Sequence, residues 1–234
     1  MFGIRRGRIP TLEEVLVDAK QQLGGGNNNN MEIKIELKGD GTVIPTVQLV
    51  ERLGMVDRCS YSSFDLDRLK DLRAFRPDRA LYPSGALFDE VPSDYLEQAR
   101  QCGATEVHLK YDTCTKERVE AIHAAGFGSM LWMRGPIGMN SDCAEKYWDV
   151  GNEDESMYQA LIDTGVEQMC VNKPDILLDM RAKRKKYQRQ EAGQAPDDLL
   201  FLVRDDDGVD NLLQGEKPTN TQLGNETEIW VGAE

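Results

Sequence analysis

Lys34-Ile35-Glu36-Leu37-Lys38 is the stretch on which the reading of this chain turns. It ends a β-type run, and residues two apart in a strand point to the same side, so Glu36 and Lys38 share a face. A carboxylate and an ammonium so placed at a strand end can share a metal ion and a phosphate, which suggests phosphate-ester chemistry. The same alternation also fits an ordinary strand whose exposed Glu36–Lys38 ion pair is worth about 0–1 kcal/mol.

Working outward, Ile9-Pro10-Thr11-Leu12-Glu13-Glu14-Val15-Leu16 opens a helix with Thr11 and Glu14 at capping-box spacing, and this helix feeds into the Glu36 strand. From residue 31 onward an apolar strand, a turn and an amphipathic helix recur. The expected strands are 32–37, 57–62, 79–82, 105–110, 127–133 and 167–172, and the expected helices are 43–53, 65–75, 92–102, 115–125, 153–164 and 174–189. Six β/α units in alternation predict an α/β fold with a parallel sheet wrapped by helices. Eight such units make a TIM barrel of about 250 residues.

Further motifs follow in order: Ser63-Phe64-Asp65, the strand ending at Leu131-Trp132, and Gly165-Val166-Glu167-Gln168-Met169-Cys170-Val171-Asn172-Lys173-Pro174. Together with the Ile9–Leu16 and Glu36–Lys38 motifs, they resemble the glycerophosphodiester phosphodiesterase family over residues 9 to about 180. The resemblance implies a TIM barrel of the phosphodiesterase type, represented by about six of its eight β/α units. It also implies a divalent cation, calcium or magnesium, held by strand-end carboxylates, and a glycerophosphodiester split into glycerol 3-phosphate and an alcohol. On this resemblance Glu36 matches a metal carboxylate, Lys38 the phosphate-contacting lysine, and Trp132 an aromatic wall of the alcohol pocket. Burial as plain core is the alternative for Trp132.

The pattern also departs from the family. The His-Arg, Glu-Asn, Glu-x-Asp and His-Asp motifs of the family's earlier part have no match here. The only histidines are His108, expected mid-strand, and His123, expected on a helix, and both suit structural roles. Met133 stands where the family has Thr, and Asn172 where it has Asp. Either the sequence begins inside the domain or the protein has lost the acid/base groups. The alternative function is a non-catalytic relative with a phosphate-binding or interaction role. Open barrel positions expose strand edges and core, so the chain beginning at Met1 is expected to be poorly stable. Ser63 and Asp65 fit helix capping at a strand-to-helix turn.

Composition bounds the rest. The net charge of −13 is concentrated in residues 191–234, where eleven acids face only Arg204 and Lys217 and leave −4 on residues 1–190. Such a balance disfavours nucleic acid, which needs clustered Lys and Arg. The domain is expected to span 1–180, with a basic helix end and an acidic, disordered tail over 181–234. Short apolar islands at Leu199–Val203 and Ile229–Val231 could dock on the barrel or on a partner. The basic run Arg181, Lys183, Arg184, Lys185, Lys186 and Arg189 permits peripheral contact with anionic lipid, or simply complements the helix dipole and the tail.

Five cysteines without a C-x-x-C spacing predict buried thiols and argue against a zinc or disulfide framework. No run of 18 apolar residues predicts a membrane span, which leaves a cytoplasmic default. Gly24–Asn30 suggests a flexible loop. Arg134–Asn152, leaving the carboxyl end of a barrel strand, suggests either a lid or a surface excursion.

Overall fold

The computed structural model describes residues 8–23, 31–133, 153–191 and 228–231. Helix α1 (Leu12–Leu23) precedes five units, β1 (Ile33–Glu36) with α2 (Val43–Arg52), β2 (Cys59–Ser63) with α3 (Leu66–Phe75), β3 (Ser84–Phe88) with α4 (Tyr95–Gln101), β4 (Glu106–Lys110) with α5 (Lys116–Ala124), and β5 (Gly128–Trp132) with α6 (Glu155–Ile162). Strand β6 (Gln168–Val171), α7 (Pro174–Glu191) and β7 (Glu228–Val231) complete it. Every strand pair is parallel, and the order in the sheet is the order in the chain. The result is a curled parallel half-barrel of the TIM type.

Alternation sorts each strand into two faces. Ile35, Tyr61, Ala86, Val107, Leu109, Leu131 and Met169 join Val47, Leu69, Leu72, Ile122 and Tyr158 of the helices in one buried cluster. A fully buried side chain of this size contributes about 1.5–3 kcal/mol, so this layer between sheet and helices carries most of the stability. The concave face is different. Ser60, Ser62 and His108 are buried there, and Leu87 and Met130 are buried without joining the helix-side cluster.

The curl is held by polar groups. Lys34 of β1 donates to Glu106 of β4 and, at 2.8 Å, to Gln168 Oε1 of β6, linking strands that are not neighbours in the sheet. Its Nζ also lies 3.4 Å from His108 Nε2, and that nitrogen is 2.6 Å from Glu106 Oε2, which assigns His108 the Nε2–H tautomer donating to the carboxylate. Burial, and then the Lys34 charge, pull the His108 pKa down to about 4, so the ring is neutral. Burial pushes Glu106 up, but His108 and Lys34 outweigh it and keep the carboxylate ionised. Gly85 is required opposite this ring: a Cβ there would lie 2.0 Å from His108 Cε1 and Nε2.

Local signals explain most boundaries. Thr11 and Glu14 form the expected capping box, with Thr11 N–H donating to Glu14 Oε2 at 2.8 Å and Glu14 N–H to Thr11 Oγ1 at 3.3 Å. Asp65 caps α3 by accepting from Asp67 N–H at 3.1 Å. Pro174 opens α7, where its missing N–H costs nothing.

The expected strand at 79–82 is corrected. Asp78 Oδ1 accepts from the N–H groups of Ala80 and Leu81, both at 3.0 Å, and folds that segment into a turn. The strand instead begins at Ser84. Of the apolar tail islands, Ile229–Val231 lies in β7 beside β6, and Leu199–Val203 lies outside the described residues. Helix α7 runs without a break through the expected domain boundary at 180/181. The Gly24–Asn30 and Arg134–Asn152 segments also lie outside the described residues. Cys59, Cys102 and Cys114 are buried free thiols and Cys170 is half-buried.

Candidate functional site

The concave face ends, at the carboxyl tips of the strands, in an open depression of about 530 Å³ lined by Glu36, Leu37, Lys38, Ser63, Phe64, Asp65 and Arg68. Two strand tips build it. Strand β1 pairs with β2 up to Leu37, whose N–H donates to Ser62 O at 2.8 Å. Ser63 Oγ then donates to Leu37 O at 2.8 Å and accepts from Asp65 N–H at 3.1 Å, which fixes the β2–α3 turn against β1.

Glu36 and Lys38 stand on the side of β1 away from the helix core, as their spacing requires, since Ile35 and Leu37 between them are buried. The Lys38 ammonium lies 3.3 Å from Glu36 Oε2, with side-chain exposures of 75% and 32%. Lys38 is thus a solvated cation tethered by an exposed carboxylate. Arg68, which the sequence reading passed over, lines the same depression but is engaged: it donates to Asp40 at 2.8 Å and to Gly39 O at 3.2 Å, and pairs with Asp65 at 2.9 Å.

Trp132, on the concave face at the tip of β5, meets Phe64 edge to face with ring centroids 5.2 Å apart. Phe64 lines the depression and is 45% exposed, so of this aromatic pair it is Phe64 that walls the Glu36–Lys38 mouth, with Trp132 packed against it. Phe64 was legible only as part of the Ser-Phe-Asp motif. The Trp132 Nε1–H is buried without an acceptor among the described residues.

At the tip of β6, Asn172 Nδ2 donates to Glu153 Oε1 at 2.6 Å, and Lys173 Nζ donates to Glu153 O at 3.2 Å. Glu153 is 2% exposed, and its Oε2 has no partner among the described residues. The amide at 172 therefore does what an aspartate could not, because it donates to a buried carboxylate. Glu153 carried no signal in the sequence: it is one acid among many, brought in by the start of α6.

The two histidines are placed away from this mouth. His108 is sealed in the cluster beneath it, and His123 of α5 contacts Ser129 Oγ at 2.8 Å on the helix side. Among the described residues no three His, Cys, Asp or Glu side chains converge, and Glu36 alone, already facing an ammonium, does not make a hard-cation site that wants six or more oxygens. No helix among the described residues is long and apolar enough to cross a membrane.

A parallel half-barrel with charged groups at its carboxyl mouth places the molecule among TIM-barrel proteins whose sites lie at that end. The solved structures it resembles narrow this further. A Galdieria sulphuraria protein provisionally assigned as a glycerophosphodiester phosphodiesterase superposes with a TM-score of 0.60 at 26% identity, over 74% of this chain and 63% of that one. A glycerophosphodiester phosphodiesterase from Parabacteroides distasonis gives 0.56 at 20%, over 75% and 65%. An Oleispira antarctica phosphodiesterase, solved with the product sn-glycerol-3-phosphate, gives 0.51 at 22%, over 68% and 55%. This chain thus spans less than two thirds of these neighbours, and they support a relationship to the glycerophosphodiester phosphodiesterases. No family model and no curated protein matches the sequence.

Proposed function

We propose that this chain is the later part of a phosphodiesterase barrel of glycerophosphodiester type, and that the Glu36–Lys38 mouth receives the phosphate of a glycerophosphodiester. The observation that carries the reading is the pairing of the Glu36 carboxylate with the solvated Lys38 side chain on the concave face at the tip of β1, beside Phe64 and its partner Trp132. Lys38 offsets charge on the phosphoryl oxygens, and the aromatic wall excludes water from one side of the bound ester.

A second reading, a non-catalytic phosphate-binding relative, is favoured by a specific observation. Neither His108 nor His123 can reach a phosphate at the mouth, so no histidine among the described residues serves as acid or base. Each such group typically supplies about 10²–10⁴-fold in rate. The chain alone should therefore bind sn-glycerol 3-phosphate yet release almost none from glycerophosphodiesters, with calcium or magnesium and with chelator. Turnover near that of complete enzymes would show that other residues do the chemistry. Both readings require product binding, and its absence would remove both.

A further inference from the structure

Lys110 ends β4 on the concave face, aligned in register with Trp132 of β5. Its ammonium lies 2.9 Å from Asp112 Oδ2 and 3.8 Å from Asp89 Oδ1, and its side chain is 18% exposed. The height of this cation relative to β1 follows from the cluster below. Lys34 touches both Glu106 and His108, so it sits between those two levels of β4. Both strands are parallel and rise by about 6.6 Å for every two residues. One step up from Lys34 is Glu36, which therefore lies between the levels of His108 and Lys110, and one further step is Lys38. Lys110 thus faces Glu36 and Lys38 across the interior.

We infer that Lys110 is a second phosphate-binding cation, acting from the wall opposite Lys38. This rests on the phosphate reading of the mouth given above. A phosphate held only by Lys38 would hang from a flexible side chain that is 75% exposed. Among the described residues the other cations near the interior are committed: Lys34 is buried against Glu106 and Gln168, Lys173 donates to Glu153 O, and Arg68 is held by Asp40, Asp65 and Gly39 O. Lys110 is held in place by two half-exposed carboxylates, and an ammonium with three N–H donors keeps one for a third partner. Two cations on facing walls fix the position of the phosphorus, which a single tether does not. The sequence concealed Lys110 because it lies in no motif.

The test is calorimetric titration of the 234-residue chain with sn-glycerol 3-phosphate, and separately with inorganic phosphate, for wild type, Lys110→Met, Lys110→Arg and Lys38→Met. Lys110→Met should weaken both ligands by about tenfold, and Lys110→Arg should restore most of that loss. Lysine acetylation footprinting of the wild type gives a readout that depends on no variant folding: either ligand should slow modification of both Lys38 and Lys110. Unchanged affinity in Lys110→Met with loss in Lys38→Met, or protection of Lys38 alone, overturns the role of Lys110 and leaves the phosphate reading standing. No binding by the wild type overturns both.

Discussion

Gly85 and His108 make a lock of two residues, one supplying space and the other filling it. Gly85→Ala should cost about 2–3 kcal/mol, because the added carbon meets a buried ring that has nowhere to move, and a urea midpoint shift checks it. His108 also sets a pH dependence. Its folded pKa, about 4, lies below the ordinary 6.5, so the unfolded chain binds the extra proton between these values. Stability is then complete above about pH 6.5 and falls as pH drops toward 4, by on the order of 3 kcal/mol. Denaturation at pH 7 and pH 5 should show the loss, and His108→Gln should flatten it. Lys34→Met should move the His108 titration, followed by its ring proton resonances, to higher pH, since the Lys34 charge is one cause of the depression. None of this cluster was legible in the sequence. His108 was assigned only a structural place mid-strand; Glu106 is its neighbour two places back on the same strand, but Lys34 and Gln168 are distant in the chain, and no spacing announces that they meet there.

Among the elements, the helices and five of the first six strands were legible because apolar period and capping residues agree. Thr11 with Glu14, and Asp65 with Asp67, are caps readable from spacing alone. Strand β3 was misplaced because its own residues, Ser84-Gly85-Ala86, are small, while the turn before it carries the apolar Leu81 and Tyr82. The side chains are small where His108 must fit, a requirement visible only once β4 lies alongside. At β6 the unexpected Asn172 is explained by Glu153. Asn172→Asp would place two carboxylates 2.6 Å apart and should cost about 3 kcal/mol at pH 7. The repulsion raises one folded pKa, so the penalty should shrink as pH falls through the carboxylate range. Melting curves of both proteins at pH 7 and pH 4.5 test the sign.

At the scale of the molecule, the alternation of strands and helices made the parallel α/β architecture legible, and the ordered motifs made the phosphodiesterase type legible. The contribution of β7 was not, because a four-residue strand in an acidic tail has no periodicity to announce it. Ile229→Pro removes a backbone donor from that strand and should speed amide exchange along β6, with α2 and α3 unaffected, as read by hydrogen-exchange mass spectrometry. Poor stability is the expectation for an open barrel, and the Lys34 cluster is the polar tie that joins β1 to β4 and β6 across its concave side. The central claim remains the phosphate at the mouth of β1. A crystal structure of the chain with sn-glycerol 3-phosphate tests it most directly. The account predicts the phosphate against Lys38 and Glu36 beside the Ser63–Asp65 turn. A phosphate seated elsewhere on the molecule, with that mouth empty, would contradict it.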